Sequence, residues 1–232
     1  MTTAATALIA AAGSGERLGA GGPKALVELA GRPLVTWCLD AFAEATGVER
    51  AVIAAPPGYE PEVARASGGD RDALLIEVVS GGESRAQSVA AALAHADGEV
   101  IVVHDAARPL VTAQLIEALL GRLSDHPGAA GAIAAAPLTD TLKRAREPGP
   151  VVERTESRDH LWAAQTPQVF RASALREALA VDPERAAAAT DDATLVEQAG
   201  GEVLIEPGPP SNLKVTTAAD LRLAELILAA RG

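Results

Sequence analysis

Residues 8–24 read LIAAAGSGERLGAGGPK, and this stretch decides the fold of the 232-residue chain. Residues 7–12 form a short apolar run whose length and small side chains are typical of a buried parallel strand. The run breaks into a loop with five glycines, which are Gly13, Gly15, Gly19, Gly21 and Gly22. Because glycine lacks Cβ, such a loop can turn with positive φ and bring backbone N–H groups close to a phosphate. With Arg17 and Lys24 as cations, the stretch predicts a triphosphate-binding loop at the end of a strand.

Two common phosphate-binding loops do not fit this stretch. The dinucleotide fingerprint is G-x-G-x-x-G, and here Leu18 stands where the third glycine belongs. The P-loop is G-x-x-x-x-G-K followed by Ser or Thr, whereas Lys24 follows Pro23 and precedes Ala25, so no hydroxyl is available for a metal. The remaining pattern, G-x-G-x-R-x-G followed by Pro-Lys, is similar to the signature of nucleotidyltransferases that make nucleoside-diphosphate sugars and alcohols.

Composition limits the classes of protein to which the chain can belong. Hydrophobic residues make up 48% and charged residues 22%, which is typical of an enzyme with one core, so we expect a single domain over residues 1–232. The net charge of −11 argues against a broad surface for nucleic acid or anionic membrane. The single cysteine, Cys38, is predicted to be a buried helix residue, and the cytoplasm is the expected compartment. No apolar run reaches the ~18 residues of a membrane-spanning helix.

The rest of the chain alternates strand and helix patterns. Apolar runs over residues 50–55, 74–79, 100–103 and 130–136 predict strands, and helical spacing of apolar residues predicts helices between them. This order favours an α/β fold with a doubly wound, mostly parallel sheet of the Rossmann-like type. Short strands are also predicted over residues 203–206 and 212–215. Thr190 is predicted to cap a helix over residues 191–199.

Residues 137–160 break this alternation. The segment is dense in polar and charged side chains on either side of Gly149 and Pro150, and it predicts a β-hairpin that leaves the sheet as a protruding β-arm. A hairpin with so little apolar surface cannot stabilise itself, so we expect it to pack against a partner. The segment is therefore predicted to be an arm that contacts a partner.

Charged side chains are predicted to gather at one edge of the sheet. The strand over residues 100–103 leads into Asp105 and Arg108. Ligands of open α/β sheets bind at the carboxyl ends of parallel strands, which places both residues beside the glycine-rich loop. Arg85 and Ser88 lie three residues apart near the start of a predicted helix, so they share the face that points at the same edge.

Seven motifs, in this order, resemble those of the 2-C-methyl-D-erythritol 4-phosphate cytidylyltransferase family of the non-mevalonate isoprenoid pathway. They are AAGSGERLGAGGPK from Ala11, GGESRAQSV from Gly81, VHDAARP from Val103, APLTDTLKR from Ala136, TPQVF from Thr166, TDDA from Thr190 and NLKVT from Asn212. The chain departs from the family pattern at Ala25, where glutamine is expected, and at Glu83, where aspartate is frequent. The resemblance implies a doubly wound α/β domain in which residues 137–160 are a protruding dimerisation arm of a homodimer. It also implies cytidylyl transfer from CTP to a small polyol phosphate, 2-C-methyl-D-erythritol 4-phosphate, with Mg²⁺ as cofactor.

The resemblance also implies a role for each site residue. The residues expected to be catalytic are Arg17, Lys24 and Lys214. Those expected to bind the nucleotide are Ala11, Ala12, Gly13, Gly15, Gly82, Arg85, Ser88, Asp105 and Ala106. Those expected to bind the acceptor are Asp105, Arg108, Thr141, Arg158, Thr166 and Thr190, with Arg158 reaching it from the neighbouring chain. Asp105 is also the expected Mg²⁺ ligand.

The chemistry of phosphate attack agrees with a site built from cations. A phosphate monoester is already anionic at pH 7, so its attack on an α-phosphorus needs charge neutralisation and positioning more than a general base. We therefore assign no catalytic role to the four histidines, which are His95, His104, His126 and His160.

Two alternatives stay open at this point. One is a different cytidylyl- or guanylyltransferase of the same fold, acting on a sugar phosphate or a pterin cofactor. The other is a nucleotide-sensing module that binds CTP without turnover. A sensor needs no second anion site, so Arg108, Arg158, Thr141 and Thr166 count against the second alternative.

Overall fold

The computed structural model describes residues 4–19, 21–69, 71, 74–181 and 183–231, without the side chains of Arg17 and Pro183. In these residues the main sheet has seven strands, which are β1 (Ala5–Ala10), β4 (Val48–Ala55), β5 (Leu75–Ser80), β6 (Val100–Asp105), β7 (Gly131–Pro137), β10 (Trp162–Arg171) and β11 (Val203–Pro207). Two hairpins pair β2 (Glu28–Leu29) with β3 (Arg32–Pro33), and β8 (Lys143–Arg146) with β9 (Val151–Thr155). The helices are α1 (Leu34–Glu44), α2 (Glu60–Ser67), α3 (Arg85–Leu93), α4 (Ala113–Asp125), α5 (Ala172–Leu179), α6 (Pro183–Ala188), α7 (Asp192–Gln198) and α8 (Ala218–Arg231).

The main sheet runs in the order β11-β7-β10-β6-β1-β4-β5. β1 pairs in parallel with β4 and β6, β4 pairs in parallel with β5, and β11 pairs in parallel with β7. β10 alone in this sheet pairs antiparallel with both neighbours, β6 and β7, which therefore run in the same direction. The predicted mostly parallel α/β sheet is confirmed, and the reversed β10 is a feature that the apolar pattern does not reveal.

Helices cover both faces of the main sheet, which is the doubly wound arrangement. In β1, Ala7 and Ile9 point to the face packed by α1 and α4, whereas Leu8 points to the face packed by α3 and α5. Because both faces of this strand are buried, residues 7–10 form a continuous apolar run instead of an alternation. Cys38 is buried on α1, as predicted. Within the described ranges, no helix has the length and apolar character to cross a membrane.

The β8–β9 hairpin confirms the predicted arm as a structural element. Lys143 lies opposite Thr155 and Arg146 lies opposite Val151 in an antiparallel pair. Every residue of both strands is exposed. Val151 and Val152, which follow the turn, are 61% and 55% exposed, so the hairpin presents two adjacent apolar side chains to solvent.

Two local predictions are wrong. Residues 212–215 form no strand, because the chain after β11 crosses the carboxyl ends of the main sheet, where the Val215 N–H donates to the Ala107 carbonyl at 2.8 Å. Thr190 is not the N-cap of α7. The Asp191 carboxylate fills that position and accepts from the Thr194 N–H at 3.0 Å. A carboxylate is favoured there because its charge also interacts with the positive end of the helix dipole.

The centre of the sheet brings two loops together. β6 extends two residues beyond the predicted strand, through His104 to Asp105. Asp105 lies opposite Ala10 of β1 in the parallel register, and the Ala106 N–H donates to the Ala10 carbonyl at 3.1 Å. The end of β6 is therefore fixed beside the start of the glycine-rich loop.

Candidate active site

The glycine-rich loop after β1 closes on itself. The Lys24 N–H donates to the Gly13 carbonyl at 2.9 Å. Gly15 has a φ of 73°, and a Cβ at this position would lie 2.8 Å from the Gly22 carbonyl oxygen. Only glycine lets the two sides of the loop approach so closely without strain. The sequence therefore builds a closed loop beside the carboxyl end of the central strand.

A first cleft of about 350 Å³ opens between this loop, the start of α3 and the end of β6. All nine residues predicted to bind the nucleotide line it, and so do Lys24 and Lys214. Ala25 and Glu83, the two departures from the family pattern, line it as well. The side chain of Arg17, the third predicted catalytic residue, lies outside the described part of the chain.

The turn before α3 forms one wall of the first cleft. Ser84 caps α3 by accepting from the Gln87 N–H at 3.2 Å, and the Gln87 side chain accepts from the Ser84 N–H at 3.1 Å. The Ser88 hydroxyl donates to the Ser84 carbonyl at 2.9 Å and accepts from the Gly82 N–H at 3.1 Å. Ser88 therefore shapes the turn whose backbone lines the cleft.

A second cleft of about 210 Å³ lies on the other side of Asp105. Four of the residues predicted to bind the acceptor line it, which are Asp105, Arg108, Thr166 and Thr190. The other two, Thr141 and Arg158, lie in the exposed arm and line neither cleft of their own chain. Three residues with no predicted role also line the second cleft, which are Gln165, Gln168 and Asp191. They lie in or beside the TPQVF and TDDA motifs, and this position is the only sequence signal for them.

Three charged residues, Arg85, Asp105 and Lys214, line both clefts and form the wall between them. Asp105 Oδ1 accepts from Arg85 Nε at 2.8 Å, and Asp105 Oδ2 accepts from Lys214 Nζ at 2.6 Å. Burial would raise the pKa of the Asp105 carboxyl, but the charges of Arg85 and Lys214 outweigh it and hold that pKa far below its ordinary value. The wall therefore carries an ionised carboxylate between two cations.

Asp192 is the second carboxylate that pairs with Arg85. Its Oδ2 accepts from Arg85 Nη1 at 2.6 Å, and its side chain is 1% exposed. Burial raises the pKa of Asp192, while the Arg85 charge opposes that rise. With carboxylates on two sides, Arg85 keeps its own charge despite burial, and its pKa is raised. Arg85 was predicted to bind the nucleotide, and its contacts show that it also orients Asp105.

Arg108 is hydrogen-bonded to the segment that follows β11. Its Nη1 donates to the Asn212 carbonyl at 2.7 Å. Asn212 is fully buried, and its Nδ2 donates to Gln165 Oε1 at 3.0 Å and to the Thr166 carbonyl at 2.8 Å. Burial lowers the pKa of the Arg108 guanidinium. The NLKVT and TPQVF motifs are thus hydrogen-bonded to each other at the floor of the second cleft.

None of the four histidines, all of which are described, lines either of these two clefts. His104 is fully buried beneath the second cleft, with Nδ1 lying 3.1 Å from Thr166 Oγ1 and Nε2 lying 3.2 Å from the Arg108 carbonyl oxygen. Burial lowers the pKa of its imidazole from 6.5 to about 4, so the ring is neutral at pH 7. The clefts therefore offer cations and a carboxylate, and the arrangement suits the joining of two anionic molecules across the shared wall.

The chain resembles known proteins in both sequence and structure. A sequence model of the 2-C-methyl-D-erythritol 4-phosphate cytidylyltransferase (IspD) family matches residues 5–230. The enzyme of that name from Rubrobacter xylanophilus is 44% identical over 98% of this chain and 96% of its own length. The enzyme of that name from Dechloromonas aromatica is 42% identical over 97% of both chains.

Solved structures agree with the sequence comparison. The crystal structure of 2-C-methyl-D-erythritol 4-phosphate cytidylyltransferase from Thermus thermophilus superposes with a TM-score of 0.78 at 32% identity, covering 99% of this chain and 100% of the other. The 4-diphosphocytidyl-2C-methyl-D-erythritol synthase of Anaerococcus prevotii gives a TM-score of 0.81 at 25% identity, with the same coverage. The chain therefore belongs to the 2-C-methyl-D-erythritol 4-phosphate cytidylyltransferase family.

Proposed function

We propose that the chain transfers the cytidylyl group of CTP to 2-C-methyl-D-erythritol 4-phosphate, giving CDP-methylerythritol and pyrophosphate. The observation that carries this proposal is the wall formed by Arg85, Asp105 and Lys214, which lines both clefts. CTP in the first cleft and the acceptor in the second would meet across it. The reaction requires such a meeting, because an oxygen of the acceptor phosphate must reach the α-phosphorus of CTP.

The chemical step is a direct displacement. The acceptor phosphate carries a charge of about −1.5 to −2 at pH 7, so it attacks without a general base. One bond forms between its oxygen and the α-phosphorus, and the bond from the α-phosphorus to the oxygen bridging to the β-phosphate breaks, which releases pyrophosphate. Arg17, Lys24 and Lys214 would offset the repulsion between the two anions and stabilise the charge that develops at the α-phosphate.

Asp105 is the residue that would hold Mg²⁺. Within the described residues, no group of three or more His, Cys, Asp or Glu side chains is placed to bind a metal. Mg²⁺ commonly uses only one or two carboxylates and takes its other ligands from substrate phosphates and water. An ionised Asp105 on the wall between the clefts fits this donor set. Bound there, the ion would neutralise charge on the triphosphate.

We further propose that the enzyme is a homodimer in which the arm completes the acceptor site. Support comes from the exposure of β8 and β9 and from the position of Arg158 and Thr141 outside both clefts of their own chain. The planar fork of an arginine binds phosphate in a bidentate way that a lysine cannot reproduce. Arg158 of one chain would then bind the acceptor phosphate in the second cleft of its partner.

We place this activity in the cytoplasm. The single, buried Cys38 thiol suits a reducing compartment, in which structural disulfides are rare.

Pyrophosphate release tests the proposed reaction. The purified chain with Mg²⁺ is mixed with CTP, UTP, ATP or GTP and with 2-C-methyl-D-erythritol 4-phosphate, a sugar 1-phosphate or no acceptor. Release is expected with CTP and the polyol phosphate, with discrimination between bases of up to about 10⁴, because a wrong base leaves buried polar groups unpaired. Equal turnover with ATP would overturn the nucleotide assignment. Faster release with a different acceptor would favour another transferase, and CTP binding without release would indicate a non-catalytic module.

A further inference from the structure

His104 connects three parts of the second cleft from beneath. Its Nε2 lies 3.2 Å from the Arg108 carbonyl oxygen, and its Nδ1 lies 3.1 Å from Thr166 Oγ1. The same Thr166 oxygen accepts from the Asp105 N–H at 3.1 Å. One buried ring thus links the loop that carries Arg108, the end of β6 and a hydroxyl on β10. Arg108, Asp105 and Thr166 all line the cleft, whereas His104 does not.

The direction of each hydrogen bond follows from the atoms involved. A carbonyl oxygen only accepts, so Nε2 carries the ring proton and donates to Arg108. The ring is fully buried and both described partners are uncharged, which favours the neutral imidazole. In that form Nδ1 is an acceptor, so the Thr166 hydroxyl donates to it. The only proton of the hydroxyl is then used, and one lone pair of the Thr166 oxygen is taken by the Asp105 N–H.

We propose that His104 is a positioning residue that determines which group of the acceptor Thr166 can recognise. With its proton donated to His104, Thr166 presents only an oxygen lone pair to the second cleft. That lone pair accepts from a hydroxyl group, and it repels a phosphate oxygen, which is itself an acceptor. Resting on the acceptor site proposed above, Thr166 contacts a hydroxyl of the polyol, and the phosphate is left to cations such as Arg108. His104 thereby fixes the orientation of the acceptor in the cleft.

The first test measures the tautomer of the His104 ring and requires no enzyme activity. In ¹⁵N-labelled protein, the ¹⁵N chemical shifts of the His104 ring are measured at pH 7. The expected result is a neutral ring with its proton on Nε2 and a bare Nδ1. A proton on Nδ1 would leave the Thr166 hydroxyl able to donate to a ligand, and it would overturn the proposal whatever the substrate of the enzyme is.

The second test separates recognition of the two substrates. His104→Phe removes both ring nitrogens, Thr166→Val removes the hydroxyl, and Thr166→Ser keeps the hydroxyl as the matched control. The KM for the acceptor is expected to rise about three- to tenfold in the Phe and Val variants, which is the range for one lost hydrogen bond. The KM for CTP is expected to change less than the KM for the acceptor. Thr166→Ser, which keeps the hydroxyl, should restore most of the acceptor affinity that Thr166→Val loses. The double variant should be no worse than Thr166→Val, because the two residues act as one unit.

Several outcomes of the second test would count against the proposal. Equal changes in the KM for CTP and for the acceptor, or additive effects in the double variant, would show a purely structural role and overturn it. If His104→Phe does not fold, the Thr166→Val and Thr166→Ser pair still gives the comparison. A wild-type chain that releases no pyrophosphate with any polyol phosphate would instead contradict the proposed function, and the tautomer measurement would still decide the role of His104.

Discussion

Lys24 lies where the glycine-rich loop closes, and it lines the first cleft. Its backbone N–H donates to Gly13, so shortening the side chain leaves that contact intact. Lys24→Ala is expected to lower kcat about 10²- to 10³-fold, because one preorganised charge at the transition state is lost. Titration calorimetry should show little change in CTP binding. Near wild-type kcat in this variant would contradict a catalytic role for Lys24.

His104 should make the stability of the fold depend on pH. Burial lowers its pKa from 6.5 to about 4, so between these values the unfolded chain binds a proton that the folded chain does not. The stability present above pH 6.5 is therefore lost as the pH falls toward 4, by about 2 kcal/mol at pH 5. Urea unfolding at pH 7 and pH 5 measures this loss. His104→Phe should lose about 2 kcal/mol less than the wild type over the same interval, and equal losses would refute the assignment.

At the scale of single residues, the sequence predicted which side chains lie at the clefts better than how they are held. The position of Asp105 and Arg108 could be predicted because one ends and the other follows a strand whose carboxyl end lies at the edge where ligands of such sheets bind. The pair of Arg85 and Asp192 could not, because 107 residues separate the two side chains in the chain. A local pattern shows Asp192 only as an acidic residue at the start of a helix, and nothing local shows that it is buried.

At the scale of a single element, two glycine substitutions in the glycine-rich loop form a matched pair. Gly15 and Gly19 both have positive φ, 73° and 66°, but only at Gly15 would a Cβ meet the opposite side of the loop. Gly15→Ala should therefore weaken CTP binding, whereas Gly19→Ala should show only the cost of the strained backbone, which is of order 1 kcal/mol of stability. Calorimetric CTP affinity and thermal unfolding of the two variants check this. Equal CTP affinities would show that closure of the loop is not needed.

Elements with a strong local pattern were predicted well. β1 and β6 contain the continuous apolar runs 7–10 and 100–103 because both faces of each strand are buried, and the hairpin of the arm is visible as a polar segment around a turn. The direction of β10 could not be predicted, since it depends on pairing with β6 and β7, which are distant in the chain. Residues 212–215 have the composition of a strand, but they cross the end of the sheet and therefore do not pair as a strand with it.

At the scale of the whole molecule, the arm is proposed to complete the acceptor site of the partner chain. A subunit-mixing experiment tests this proposal. Arg158→Ala and Lys24→Ala chains, each nearly inactive alone, are allowed to exchange subunits. In a mixed dimer with shared sites, one site carries both lesions and the other carries none. A 1:1 mixture should therefore recover about a quarter of the wild-type sites. The measurement is pyrophosphate release before and after exchange.

Arg154 provides the control for that experiment. It is an exposed arginine of the same arm, and it pairs with Glu156 at 3.0 Å. Arg154→Ala should keep most of its activity alone, because a surface pair of this kind contributes only about 0–1 kcal/mol. Absence of recovery between Arg158→Ala and Lys24→Ala chains, once exchange is demonstrated with labelled subunits, would refute the shared acceptor site.

The central claim for the whole molecule is that two anionic substrates meet at the wall formed by Arg85, Asp105 and Lys214, and that the acceptor phosphate itself attacks CTP. The most direct test uses 2-C-methyl-D-erythritol 4-phosphate whose terminal phosphate oxygens are labelled with ¹⁸O, followed by ³¹P NMR of the products. We predict ¹⁸O in the bridge between the two phosphorus atoms of CDP-methylerythritol, with both signals shifted by the isotope, and unlabelled pyrophosphate. A labelled phosphate that remains a monoester while the cytidylyl group joins a hydroxyl, or label in the pyrophosphate, would contradict the claim.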